Sequence, residues 1–178
     1  MVVSIDSGYV CLVRHFCLQR KRTGLSTEMK KWDQIKLTPE EQTEFLRTAG
    51  KAALATLDKE GFPHVVAMNY VARDGAILMT SFGKAQKVVN IRRNPKVAVM
   101  VETGRNYSDL RGVMIRGECE IIDDAAAVEA TMRAILEKSS GSAALGRGPL
   151  KSAPKRVVLK VIAKKIASWD HRKLGGHY

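Results

Sequence analysis

Within the eight residues Thr80-Ser81-Phe82-Gly83-Lys84-Ala85-Gln86-Lys87 stand two hydroxyls, a glycine and two lysines. Hydroxyls supply directional hydrogen bonds and ammonium groups supply charge, so the chemistry suggested is the holding of an anion, a phosphate above all. The following Val88-Val89-Asn90-Ile91-Arg92-Arg93 has helical spacing, with Val88 and Ile91 on the inner side. Asn94-Pro95 ends it, because the residue before a proline avoids the helical region. A helix over Lys84–Arg93 would present backbone N–H groups and the positive end of its dipole to an anion. Lys84 and Lys87, one turn apart, are expected to face that anion together, with Arg92 and Arg93 enlarging the positive cluster. A capped surface helix with solvated lysines carries the same residue types, so the pattern alone leaves both readings open.

Other chemistries find less support. Gly141-Ser142-Ala143-Ala144-Leu145-Gly146-Arg147-Gly148 approaches a phosphate-binding P-loop but has Arg147 where lysine is needed and Gly148 where a hydroxyl is needed. His15, His64, His171 and His177 have no carboxylate partners at metal-ligand spacing, so no metal site is expected, and His171 and His177 read as surface or tail residues. No Ser/His/Asp or Cys/His arrangement can be assembled.

The elements that must position these residues follow from the pattern. Thr38-Pro39-Glu40-Glu41 is a helix start, with Thr38 as cap, Pro39 in the first turn and Glu41 at the capping-box position. That helix should reach Ala49 with Phe45 and Leu46 inward. Strands are expected over 52–57, 64–71, 76–81, 96–102, 113–122, 157–162 and 165–169. Turns at Asp58–Gly61 and Arg73-Asp74-Gly75 join the early ones. In the second strand Val65, Ala67, Asn69 and Val71 share one face, and His64, Val66, Met68 and Tyr70 the other. The strand over 113–122 is long or bulged and is punctuated by Gly117, Asp123-Asp124 cap a helix carrying Val128, Met132, Ile135 and Leu136, and 139–154 is loop-like. The expected fold is mainly β with flanking helices: six to seven mostly antiparallel strands in a small closed sheet, since the early turns are too short for crossover helices.

The chain of 178 residues carries 30 Lys+Arg against 18 Asp+Glu, a net charge of +12 that calls for an anionic partner. Residues 1–28 hold four cations and two acids, with the basic run placed after the apolar stretch, the wrong order for a secretory signal. They read as an unpatterned basic extension upstream of a start at Met29, with a single domain over 29–178. From Arg147 to Tyr178 nine cations face one acid. That tail offers only Trp169 and Tyr178 for stacking, which argues against nucleic acid. No apolar run is long enough to span a membrane, and three cysteines are neither a disulfide framework nor a zinc array, so the cytoplasm is the expected compartment.

Several short patterns recur in a telling order: Leu54-Ala55-Thr56-Leu57, then Gly61-Phe62-Pro63-His64-Val65-Val66-Ala67-Met68 after a turn, then Met79-Thr80-Ser81 with Lys87 four residues before Ile91 and eight before Pro95. Leu110-Arg111-Gly112-Val113 and Arg116-Gly117-Glu118 with Glu120-Ile121-Ile122-Asp123-Asp124 complete the series. From about Leu37 to Trp169 the chain thereby resembles the pyridoxamine 5'-phosphate oxidase-like split-barrel superfamily, in particular the branch with coenzyme F420-dependent reductases. The resemblance implies a split β-barrel of the FMN-binding type and a homodimer with cofactor at the subunit interface. It implies that Lys87 binds the phosphate of a flavin or deazaflavin, that Thr80 and Ser81 line the same pocket, and that Pro63, His64, Val65, Val66 and Met68 lie beside the ring. Lys84, Lys87, Arg92 and Arg93 exceed what one monophosphate needs, which favours coenzyme F420, with its acidic tail, over FMN. The implied activity is hydride transfer to a small unsaturated or conjugated acceptor. The C-terminal motif that holds the vitamin substrate in true pyridoxamine phosphate oxidases is missing, so vitamin B6 oxidation is not implied. The alternatives are an FMN-dependent oxidoreductase of the same family or a non-enzymatic flavin or haem carrier, with His171 or His177 as axial ligand.

Overall fold

The computed structural model describes residues 31–140 and 150–175. The extension 1–28 and the P-loop-like stretch fall outside them, as do His15 and His177. The elements run α1 (Lys31–Gln34), α2 (Pro39–Thr48), β1 (Lys51–Leu57), β2 (Pro63–Asn69), β3 (Val71–Arg73), β4 (Ala76–Phe82), α3 (Gln86–Arg93), β5 (Lys96–Thr103), β6 (Arg111–Ile122), α4 (Ala125–Ser140) and β7 (Arg156–Asp170). Local chemistry starts the helices where it should. Thr38 Oγ1 accepts from the Glu41 N–H while the Glu41 carboxylate accepts from the Thr38 N–H, and Asp124 Oδ1 accepts from the Ala127 N–H. The β1–β2 turn is closed by Asp58, whose Oδ1 accepts from the N–H groups of Glu60 and Phe62.

The seven strands form one antiparallel sheet in the order β2-β1-β5-β6-β7-β4-β3. β2 and β3 stand at opposite ends of that order yet are separated in sequence by Tyr70 alone. One residue cannot span an open sheet, so the sheet curls until its two edges approach, the half-barrel of a split-barrel fold. Inside the curl, Leu54, Met79, Val99, Val113 and Leu159 are fully buried, and Phe45 and Leu46 of α2 join the same core. Packing of alternate residues from several strands into one interior makes the curl favourable, since burial of aliphatic side chains is the main driving term.

Two boundaries differ from expectation. The strand expected over 64–71 is two strands: alternation runs through Tyr70 unbroken, but the chain changes partners there, from β1 to β4. The two strands expected at 157–162 and 165–169 are one, β7, whose pairing with β6 slips at a bulge between Arg116 and Gly117. A Cβ on Gly117 would overlap the Ile162 carbonyl oxygen, so this close approach requires glycine. Among the described residues no helix is long and apolar enough to cross a membrane.

Candidate functional site

Along β4 the side chains of Ile77, Met79 and Ser81 point into the barrel, and Leu78, Thr80 and Phe82 point away from it. Ser81 is 3% exposed. After Phe82 the chain turns, with Gly83 N–H donating to the Lys155 carbonyl and Ala85 N–H to that of Phe82, each at 3.0 Å. α3 then starts at Gln86 behind Ala85, which offers no side-chain cap. Lys87 reaches back until its Nζ is 3.5 Å from Ser81 Oγ. A lysine in the first turn opposes the helix dipole, and no acidic residue accompanies it there. An uncapped N-terminus, a cation and a buried hydroxyl therefore converge, the arrangement that a phosphate would satisfy.

The helix expected over Lys84–Arg93 is shorter at its start. Ala85 is extended and the helix begins two residues later than expected, so Lys84 belongs to the turn. Lys84 instead shares with Arg92 a separate basic groove of about 780 Å³, edged also by Lys155 and Arg156 and with Asp123 as its acid. The Arg156 guanidinium stacks 4.2 Å over the Phe82 ring, and Arg92 Nη1 lies 3.4 Å from the Gly83 carbonyl oxygen.

The other expected residues divide in the same way. On β2, Val66 and Met68 pack against the core and His64 is half-buried, while Pro63 and Val65 face outward, Val65 being 57% exposed. The curl brings Met68 and Thr80 together around a cleft of about 240 Å³ beneath α4. Thr80 and Ser81 occupy opposite faces of β4, so Thr80 accompanies Met68 and only Ser81 accompanies Lys87. Pro63 lines a third groove with residues of β5, β6 and β7. His64 Nδ1 is buried without a hydrogen-bond partner among the described residues.

Two contributors escaped the sequence reading. Arg156 lines both the Thr80 cleft and the Lys84 groove; it is brought there by pairing opposite Phe82, a contact with no local signature. Asn90, fully buried, donates to Thr56 Oγ1 at 3.0 Å and accepts from Gln86 Nε2 at 2.8 Å. It ties α3 to β1 and so fixes where Lys87 stands. An amide within the apolar Val88–Ile91 face was the available clue.

His171 is not a surface residue: it is 6% exposed, with its ring edge-on to Tyr107 at 4.4 Å. The basic tail is partly neutralised by surface ion pairs, Lys160 with Glu120, Lys164 with Glu118, Arg172 with Asp170 and Lys173 with Glu41. Burial pushes the Cys119 thiol up to about 12, helped by Glu120, so it is no nucleophile at neutral pH. Among the described residues no cluster of metal-ligating side chains occurs.

Residues 38–170 match the family model described as pyridoxamine 5'-phosphate oxidase. Among solved structures the chain is similar to a conserved hypothetical protein from Mycobacterium tuberculosis, at 33% identity and TM-score 0.71, covering 82% of this chain and 92% of that one. It is similar to a protein described as an F420 reductase at 27% identity and TM-score 0.61, covering 72% and 98%. A FAD-binding protein from Mesorhizobium loti shares the fold at 21% identity and TM-score 0.56, covering 75% and 94%. No curated protein matches the sequence.

Proposed function

The chain belongs to the pyridoxamine 5'-phosphate oxidase family of split barrels, and we propose that it is an oxidoreductase that works with coenzyme F420 on a small unsaturated or conjugated organic acceptor. The observation that carries this reading is the convergence of Lys87, Ser81 and the uncapped start of α3. These groups fit a cofactor phosphate, with the ammonium supplying charge and the hydroxyl and backbone N–H groups supplying direction. Coenzyme F420 is favoured over FMN by the second basic groove, where Lys84, Arg92, Lys155 and Arg156 offer more positive charge than one phosphate uses. The similarity to an F420 reductase supports the same choice.

When bound, the deazaflavin supplies the hydride; the protein's part is to hold and orient it and to exclude water. Met68 and Thr80, which line one cleft, would give the ring an apolar surface and a hydroxyl. The reading includes a cytoplasmic homodimer with cofactor at the interface. Its support is the outward-facing apolar surface of Val65, Met100 and Met114 on β2, β5 and β6. Titration of gel-filtered protein with coenzyme F420 and with FMN tests the reading. Saturable binding, tighter for F420, is expected; tighter binding of FMN would turn the assignment to a flavin enzyme, and binding of neither would end it.

A further inference from the structure

Between α2, the β3–β4 turn and β7 lies a cleft of about 340 Å³. Pro39, Gln42, Thr43, Leu46 and Arg47 recur at helical spacing, so a single face of α2 forms one wall. The opposite wall belongs to the inner face of the sheet, with Ile77, Ile115, Val161 and Ile166. Ile77 and Ser81 both point inward from β4 but stand four residues apart, about 13 Å of strand. The cleft is therefore at the other end of β4 from Lys87. It shares no residue with the Met68–Thr80 cleft, with either basic groove or with the outward-facing surface of Val65, Met100 and Met114.

The strand pairing aims an apolar side chain into this space. β7 sets Ala163, Lys164 and Lys165 against only Gly117 and Arg116 of β6, so Lys164 is the extra residue of the bulge. Inward positions run Leu159, Val161 and Ala163 before it and resume at Ile166 after it. Ile166 lies directly opposite Ile115, which is 3% exposed, yet Ile166 is itself 44% exposed. Protein interiors leave few voids larger than a water molecule. An isoleucine on the inner face, bordering an open volume of this size, is an apolar surface without its cover. Ala72 and Ala163 line the same space, where longer side chains would fill it.

The mouth is charged. Arg47 and Arg73 edge it together with Asp74. Arg47 is held on the helix surface by Glu44 at 2.7 Å, and Arg73 makes no ion pair among the described residues. The net charge of +12 also draws anions to the protein in preference to cations. We propose that the cleft binds an aliphatic monocarboxylate of medium chain length. The chain lies against Leu46, Ile115 and Ile166, and the carboxylate meets the Arg73 guanidinium, whose planar fork can engage both oxygens. A volume of about 340 Å³ is at the small end for organic ligands, which limits the chain length. The proposal does not depend on which cofactor the protein carries.

Calorimetric titration of the full-length protein at pH 7 with octanoate and with octylammonium, both below their micelle concentrations, tests it. Octanoate should bind saturably, at least ten-fold tighter than octylammonium, and equally well to Lys87→Ala. Arg73→Glu should weaken octanoate at least ten-fold and remove its advantage over the cation. Arg73 is exposed at the end of β3, so this variant should melt as wild type does without ligand. Ala163→Leu, which fills the cleft, should weaken octanoate as well; should it fail to fold, Arg73→Glu decides alone. The proposal is overturned if octanoate does not bind saturably or if the two amphiphiles bind equally well. Unchanged octanoate affinity in Arg73→Glu would place binding on the outward apolar surface and overturn it too. Loss of octanoate binding in Lys87→Ala would place it in the cofactor site, with the same consequence.

Discussion

The Lys138 ammonium of α4 lies 3.6 Å from the centre of the Tyr70 ring, and both side chains donate to one acceptor, the Leu46 carbonyl of α2, at 2.9 Å each. Tyr70 is the single residue between the strands at opposite ends of the sheet order, so this contact pins the seam of the curled sheet to two helices. The ring is 1% exposed, and burial pushes its phenol up, keeping it a neutral donor.

Replacing Tyr70 with Phe keeps the ring and the cation above it but removes one buried donor. The expected loss is about 1 kcal/mol of unfolding free energy. Tyr70→Ala, which also opens a cavity at the seam, should cost roughly 3–5 kcal/mol. Urea titration of the two variants measures both, and equal losses would show that the ring contributes nothing to closure.

Lys138 gives the seam a pH dependence. Burial, with Arg47 nearby, pushes its ammonium down to about 8, against 10.5 ordinarily. Below pH 8 the folded protein holds a charge that is costly to bury; above 10.5 folded and unfolded chains are both neutral there and the cost vanishes. Between those values the unfolded chain binds more protons, so stability rises with pH. Because the group is partly solvated, the gain is a fraction of the full shift. The difference in unfolding free energy between wild type and Lys138→Met, followed from pH 7 to 11, isolates this group. It should move in favour of wild type as pH rises; a flat difference would contradict it.

Features that rest on neighbours in sequence were legible from the sequence. The Thr38/Glu41 capping box and the Asp58 turn follow from residues within a few positions of one another. The break at Tyr70 did not follow, because its cause is a change of partner strand, and the alternation of inward and outward side chains is the same on either side. The apolar pattern divides β7 in two at Ala163-Lys164-Lys165, where the pairing with β6 slips by one residue. In the site, Ser81 and Lys87 are six residues apart and were found together. Arg156 reaches Phe82 only through strand pairing across more than seventy residues, and nothing local announces it.

Asn90 links these two levels, since it is the buried polar anchor of the helix that carries Lys87. Asn90→Ala removes the amide donor to the buried Thr56 Oγ1, which keeps only its long contact to the His64 carbonyl, at an expected cost of about 1–3 kcal/mol. Cofactor affinity should fall as well, because α3 loses its fixed position on β1. Denaturant unfolding and cofactor titration of the same variant test the two effects; lost stability with unchanged affinity would separate the anchor from the site.

Lys87→Ala and Lys84→Ala distinguish the parts of the proposed cofactor site. The polar contact of Lys87 among the described residues is Ser81 at 3.5 Å, the outer limit of a hydrogen bond, so its removal should leave stability unchanged. A charge-assisted contact to phosphate is worth about 1–3 kcal/mol. Lys87→Ala should therefore weaken FMN and coenzyme F420 by similar factors, because both carry a phosphate at that place. Lys84 lies in the separate groove with Arg92 and Arg156. Its loss should weaken F420, whose acidic tail continues past the phosphate, and leave FMN unaffected. Fluorescence titration of the two variants with both cofactors reads the four affinities. Normal binding of both cofactors by Lys87→Ala would remove the start of α3 from the site, and equal effects of Lys84→Ala on both would remove the groove from any role in choosing F420.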